Sequence, residues 1–116
     1  MSRPWQPDRG DIVWLDFTPQ AGTEQAGRRP ALVLSPQKFN VGTGLMIACP
    51  VTSQMKGSPW EVPLPPGLKV VGAVLSDHLR SVDWIASNAA FSGKATGEVM
   101  EEVLGRIGAI LGLDPA

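Results

Sequence analysis

The fold of this chain is limited first by a pattern of short apolar runs that glycine, proline and polar residues interrupt. The runs occupy residues 11–17, 30–35, 45–52, 60–64 and 70–76. Apolar and β-branched residues bounded by turn formers are typical of β-strands. The chain contains 13 glycines and 11 prolines, more than average, which favours many turns and short strands. This part of the sequence therefore predicts a sheet of at least five short strands.

A different periodicity begins at Thr96. Apolar residues recur at helical spacing at Val99, Val103, Leu104, Ile107, Ile110 and Leu111. Thr96 is a candidate N-cap, so a C-terminal helix is expected. A single helical turn is predicted at residues 35–40, and residues 80–86 can extend the sheet. We expect one domain spanning residues 1–116, mainly β with a C-terminal helix, folded as a small, partly open antiparallel β-barrel.

Composition excludes several classes of protein. The net charge is −1, so the chain as a whole has no basic field to attract a nucleic acid. One cysteine and one histidine rule out an internal disulfide and a histidine-based metal site. Cys49 lies in an apolar run and is interpreted as a buried hydrophobe. No apolar run is long enough to cross a bilayer. We expect a cytoplasmic protein without a membrane segment, bound metal or cofactor.

Positive charge is concentrated around the second and third runs. Arg28 and Arg29 close a polar loop, residues 18–29, immediately before Pro30. Thr52, Ser53 and Lys56 begin the loop that follows the third run. If these two strands are neighbours, both loop ends can line one groove. Charge alone leaves two interpretations open, a solvated surface and a site for a polyanion.

The order of these motifs resembles that of the MazF/PemK-type toxins, the messenger-RNA interferases of toxin–antitoxin systems. The opening GDIVWLDF is followed by a polar loop and by RPALVLS, and the third run ends in PVTS. The matching positions are Gly10, Asp11, Ile12, Asp16, Phe17, Glu24, Gly27, Arg29, Pro30, Ala31, Ser35, Pro50, Val51, Thr52, Ser53, Lys56, Asp77 and Ser81. The resemblance covers nearly the whole chain.

The resemblance implies an SH3-like barrel of the CcdB/MazF-type plasmid maintenance toxin fold, assembled as a homodimer. It implies sequence-specific, metal-independent cleavage of single-stranded RNA, chiefly messenger RNA. The RNA's own 2′-hydroxyl attacks and leaves a 2′,3′-cyclic phosphate and a 5′-hydroxyl. It also implies a cognate antitoxin whose acidic, disordered tail folds on binding.

The same resemblance suggests roles for individual residues. Arg29 and Thr52 are the expected catalytic pair, since a guanidinium fork suits two phosphate oxygens and a hydroxyl can donate a further hydrogen bond. Glu24 is the candidate base, because it is the carboxylate nearest the motif. The predicted RNA-binding residues are Arg28, Ser53, Lys56, Asp77 and Ser81.

Two other functions remain open at this stage. A toxin of the same fold can bind DNA gyrase without cutting nucleic acid, and a dimerisation module can carry merely solvated arginines. The Arg29–Thr52 pair favours the nuclease, because a poison that acts by contact does not need a phosphate clamp.

Overall fold

The computed structural model describes residues 4–17 and 27–113. In chain order the elements are β1 (Asp11–Phe17), β2 (Gly27–Val33), α1 (Gln37–Thr43), β3 (Leu45–Thr52), β4 (Glu61–Pro63), β5 (Ala73–Leu75), a 3₁₀ turn (Ser76–His78), β6 (Arg80–Asp83), β7 (Ala90–Lys94) and α2 (Gly97–Ile110). The predicted class, mainly β with a C-terminal helix, is confirmed. No helix in the described ranges is long and apolar enough to cross a membrane.

The strands form an antiparallel sheet that bends around β3. Along the sheet the order is β4-β5-β3-β2-β1-β7, and β6 also pairs with β3. The first half of β3 pairs with β6 and its last two residues pair with β5, so one strand serves both parts of the sheet. The two ends of this order, β4 and β7, do not pair with each other. The result is the partly open barrel that the sequence predicted.

Alternation along β1, β2 and β3 produces two apolar clusters on opposite faces. Ile12, Leu32 and Cys49 belong to the cluster that α2 covers through Val103 and Ile107. The other cluster contains Val13, Leu15, Phe17, Ala31, Val33, Met46 and Ala48. The helix begins as predicted, since the Thr96 hydroxyl accepts a hydrogen bond from the Val99 N–H at 3.2 Å.

Several boundaries differ from the prediction. β2 begins at Gly27, so Arg28 and Arg29 are strand residues opposite Asp16 and Leu15 and not the end of a loop. β7 was not predicted, because its residues are partly or fully exposed and have no apolar alternation. The fourth and fifth strands are shorter than expected, and α1 is longer. Residues 18–26, which include the candidate base Glu24, lie outside the described part of the chain.

Candidate functional site

The register of the sheet brings Arg29 and Thr52 together. β2 and β3 pair antiparallel, with Ala31 opposite Pro50 at the end of their ladder. Two residues further along each strand, beyond the last recorded pair, stand Arg29 and Thr52, and alternation directs their side chains toward the same face. Residues opposite each other on such strands have Cβ atoms about 5 Å apart. If this spacing continues to Arg29 and Thr52, both side chains can contact one phosphate group.

Arg29 is held in surroundings that favour a bound anion. Its backbone pairs with Leu15, and alternation directs its side chain toward the face of Ala31 and Val33. The Nε atom is buried and has no hydrogen-bond partner within residues 4–17 and 27–113. Leaving such a donor without an acceptor costs about 1–3 kcal/mol. An anionic oxygen at this position would supply the missing acceptor.

Both the hydroxyl and the backbone carbonyl of Thr52 are in contact with neighbouring backbone. The Thr52 hydroxyl oxygen accepts a hydrogen bond from the Gln54 N–H at 3.1 Å, so its own hydrogen remains available for donation. Gly72 packs directly against the Thr52 carbonyl: a Cβ atom at Gly72 would lie 2.1 Å from that oxygen. Gly72 also has φ +140°, a conformation that favours glycine. The turn before β5 thus holds the end of β3 in place.

A groove of about 430 Å³ lies where β2 and β3 separate. Its lining combines three cationic side chains, one hydroxyl and an apolar floor: Trp14, Arg28, Arg29, Pro30, Val51, Ser53, Lys69, Val70 and Val71. Of the residues predicted to line one groove, Arg28, Arg29 and Ser53 do so, whereas Thr52 and Lys56 are not in this lining. Trp14 and Lys69 were not predicted, although a tryptophan at an exposed position of an alternating strand was a signal that could have revealed the groove.

Arg28 points to the opposite side of β2 from Arg29, and its charge is already compensated. Its Nη1 lies 2.9 Å from Asp16 Oδ1, and its Nη2 donates to the Asn88 carbonyl at 2.7 Å. The Asn88 amide in turn donates to the other Asp16 oxygen at 2.8 Å. The hydrogen bond from Asn88, followed by that from Arg28, lowers the pKa of Asp16 below its usual value. This exposed network joins the end of the β1–β2 pair to the 84–88 turn.

Three other predicted RNA-binding residues lie away from the groove lining. The backbone N–H of Lys56 donates to the Glu61 carboxylate, at 3.0 Å to the nearer oxygen, which folds the 53–59 loop back toward β4. Asp77 is in the 3₁₀ turn, with its carboxylate 3.8 Å from His78 Nε2. Ser81 pairs with Ile47, five residues before Thr52, or about 16 Å along the strand.

Burial accounts for the low reactivity of the one cysteine, Cys49. Cys49 is fully buried, and desolvation, with a smaller effect of the Asp77 charge, raises the pKa of its thiol to about 12. This thiol is protonated at neutral pH and is a poor nucleophile, in agreement with its interpretation as a core residue.

Within the described ranges, no group of three or more His, Cys, Asp or Glu side chains is placed to hold a metal ion.

Residues 8–111 match the family of PemK-like, MazF-like toxins of type II toxin–antitoxin systems, and the chain belongs to this family.

Individual relatives agree with this assignment. The chain is 42% identical over 106 residues to the endoribonuclease toxin MazF of Escherichia coli K12, covering 91% of this chain and 95% of that protein. Its fold is similar to the crystal structure of MazF from Deinococcus radiodurans, with a TM-score of 0.89 and 57% identity over 94% of this chain and 99% of that one. A MazE–MazF crystal structure from the same organism gives a TM-score of 0.87 and 55% identity, over 95% of this chain and 100% of that one.

Proposed function

We propose that this chain is the endoribonuclease toxin of a type II toxin–antitoxin system, and that it cleaves single-stranded RNA in the cytoplasm. The observation that supports the proposal most is the β2–β3 register, which continues past Ala31 and Pro50 to Arg29 and Thr52 on one face of the sheet. The Arg29 Nε is buried and unpaired among the described residues. The 42%-identical relative named as an endoribonuclease toxin supports the same reaction.

The proposed reaction uses the RNA as its own nucleophile. The 2′-hydroxyl oxygen bonds to phosphorus while the bond from phosphorus to O5′ breaks, which leaves a 2′,3′-cyclic phosphate and a 5′-hydroxyl. Arg29 offers two donors to the non-bridging oxygens, where negative charge increases in the transition state, and the Thr52 hydroxyl offers a third. Because the nucleophile is internal, no metal-activated water is needed.

Two proton transfers complete the reaction. The 2′-hydroxyl loses a proton to a base, and the leaving O5′ gains one from solvent water. A guanidinium is a poor base because its pKa exceeds about 12, so Arg29 is assigned charge stabilisation. Glu24 is proposed as the group that accepts the 2′-hydroxyl proton, since its carboxylate lies a few residues before Arg29 in the sequence.

The groove is proposed as the path of the RNA next to the active centre, since Trp14, Arg28 and Val51 in its lining alternate with the residues of the Arg29 face. Ser53 and Lys69 line it together with Arg28, and Trp14 offers an aromatic surface on which an unstacked base can lie. Lys56, Asp77 and Ser81 lie outside this lining, so we assign them to nucleotides that flank the groove. A groove of about 430 Å³ has room for only a short piece of the strand.

Two protein partners are proposed. One is a cognate antitoxin whose acidic, disordered tail occupies the groove and excludes RNA, an arrangement supported by the similarity to a chain crystallised as a MazE–MazF complex. The other is a second copy of this chain. A recess of about 390 Å³ between α1, β3 and α2 is lined mainly by apolar side chains, including Phe39, Leu79 and Leu104, and we propose it as part of the homodimer interface.

A cleavage assay tests the proposed function. A long unstructured RNA is incubated with the protein in excess chelator, and the new 3′ ends are examined for a 2′,3′-cyclic phosphate. We expect cleavage at a restricted set of sites, with the cyclic phosphate and a 5′-hydroxyl as end groups. Intact RNA, combined with inhibition of DNA gyrase in a supercoiling assay, would instead support the non-nucleolytic toxin of the same fold.

A further inference from the structure

A second arginine lies on the same face of the sheet as Arg29. Arg80 in β6 pairs with Ala48 of β3, and residues opposite each other on antiparallel strands point to the same side. Thr52 stands four residues after Ala48 and therefore also points to this side. Arg29, opposite Thr52, completes the set. Three strands thus present Arg29, Thr52 and Arg80 on one face.

Phe17 connects the two arginines in space. The Arg80 Cζ atom lies 5.1 Å from the centroid of the Phe17 ring, within the range of a cation–π contact. Phe17 itself is buried and pairs with Gly27, two residues before Arg29 on the same face of β2. The ring therefore draws the Arg80 guanidinium from the β6 side of the sheet toward the end of β2, where Arg29 stands.

Within residues 4–17 and 27–113, the contact recorded for the Arg80 guanidinium is the one with Phe17. A guanidinium in a cation–π contact can still donate its N–H groups to an anion. Arg80 is half-buried, and its side chain makes no ion pair or hydrogen bond with another residue of the described part. Arg28, by contrast, is compensated by Asp16. Among the residues that the structure describes on this face, Arg29 and Arg80 are the arginines without an ion-pair partner.

We propose that Arg80 is a further phosphate-binding residue, which holds the backbone phosphate next to the scissile one, and that Phe17 positions its guanidinium. Arg29 and Thr52 contact the scissile phosphate, so a cation on the same face is available for the adjacent anion. This inference rests on the proposed cleavage of single-stranded RNA and extends the site by one phosphate. Neither residue was among those that the sequence motifs indicated as RNA-binding.

The salt dependence of RNA binding tests the proposal. A single-stranded RNA with 2′-O-methyl groups, which cannot supply the nucleophile, is titrated at several salt concentrations against wild type, Arg80→Gln and Arg80→Lys. On single strands each neutralised phosphate contributes about 0.7 to the slope of log K against log salt. We expect Arg80→Gln to lower the slope by about 0.7 and Arg80→Lys to retain it.

A matched control removes one positive charge elsewhere. Arg106 lies on α2 and contacts Glu102 and the Pro59 carbonyl, away from the catalytic face. Arg106→Gln should leave the slope unchanged. The proposal is overturned if Arg80→Gln binds with the wild-type slope, or if Arg106→Gln lowers the slope equally. If Arg80→Gln does not fold, Arg80→Met replaces it as the variant without the charge, and the same two outcomes apply.

Cleavage of unmodified RNA by wild type separates this inference from the proposed function. If wild type cleaves but Arg80→Gln keeps the wild-type salt slope, only the role of Arg80 is wrong. If wild type binds the modified RNA but never cleaves unmodified RNA, the nuclease is wrong, and the slopes still decide whether Arg80 binds a phosphate. If wild type does not bind RNA at all, both fail.

Discussion

Adjacent arginines in β2 have different surroundings because strand alternation directs them to opposite faces. Arg28 meets Asp16 and Asn88, and its charge is compensated in the free protein. Arg29 meets the apolar cluster, and its buried Nε has no acceptor among the described residues. The same residue type is therefore suited to two tasks: Arg28 to joining surface segments, and Arg29 to binding an anion.

Replacing Arg28 should affect RNA binding modestly and chemistry little. Exposed ion pairs contribute about 0–1 kcal/mol, and Arg28 must give up part of its contact with Asp16 to bind a phosphate. Arg28→Ala should therefore weaken RNA binding by several-fold and retain the single-turnover rate at saturating protein. Asp16→Asn, as the paired control, should tighten binding because it releases Arg28. A large loss of the single-turnover rate in Arg28→Ala would contradict this assignment, because it would show that Arg28 takes part in the chemical step.

The Asp16 network should also give stability a defined dependence on pH. The folded protein lowers the pKa of Asp16, so the carboxylate stabilises the fold above the ordinary aspartate pKa of about 4, and this contribution is lost as the pH falls through the lowered folded value. Asp16→Asn should melt below wild type at pH 6, and the difference should shrink as the pH approaches 3. Thermal melting of both proteins from pH 3 to 7 measures this; a difference that stays constant would contradict it.

Individual strands differ in how well the sequence predicted them. β1 and β3 were predicted with their observed bounds, because each is an apolar run closed by turn residues. β7 was missed because its side chains bury little. β2 was predicted to begin at Pro30 because the polar residues Gly27, Arg28 and Arg29, of which the first two are exposed, resemble a loop. Exposed strand residues pair through their backbone, which leaves no periodic signal in the sequence.

The site required information that no single motif contains. Resemblance indicated Arg29 and Thr52, but their juxtaposition depends on the register between β2 and β3. The turn before β5 contributes Gly72 and Lys69, which are far from β2 in sequence and reach the site only through the fold. Register and turn packing are properties of the assembled sheet. The sequence around Lys69 does not distinguish a lysine that lines a groove from one that is merely solvated.

The turn before β5 provides a test at Gly72. Alanine there would place its Cβ 2.1 Å from the Thr52 carbonyl oxygen, in addition to the strain of φ +140°. Gly67 has φ +100° and no atom within 4 Å of an added Cβ, so Gly67→Ala isolates the backbone strain. We expect both variants to be destabilised, by about 1 kcal/mol or more. Only Gly72→Ala should also lose cleavage at temperatures where it remains folded. Equal cleavage in both folded variants would exclude a role of Gly72 in holding Thr52.

Across the molecule, charge and apolar surface are distributed unevenly. The net charge is only −1, so RNA is held by local cations and not by a general field. Glu98, Glu101 and Glu102 border a separate cleft along α2, which a polyanion should avoid. Another region around α1 and α2 exposes Phe39, Leu79, Leu104 and Leu111. Clustered apolar side chains of this kind are typical of a protein–protein interface.

Self-association should depend on that apolar face. Leu104 lies beside the recess and is 37% exposed. A charged side chain at this position would lose its hydration in an interface, whereas a free surface would tolerate it. Leu104→Glu should therefore sediment as a monomer at micromolar concentration, whereas wild type sediments as a dimer. Val71→Glu, at a 78% exposed position beside the RNA groove, is the control and should remain dimeric. A monomeric wild type would refute the homodimer.

The role of Arg29 is decided by single-turnover cleavage of RNA at saturating protein, with thermal melting measured in parallel. Arg29→Ala should retain its fold and lose about 10²–10³-fold in rate, the effect of removing a preorganised donor from a developing charge. Arg29→Lys should be nearly as slow, because an ammonium group cannot replace the two-pronged contact of a guanidinium. Cleavage by folded Arg29→Ala at the wild-type rate, or a loss explained entirely by unfolding, would contradict the assignment of Arg29 to the scissile phosphate.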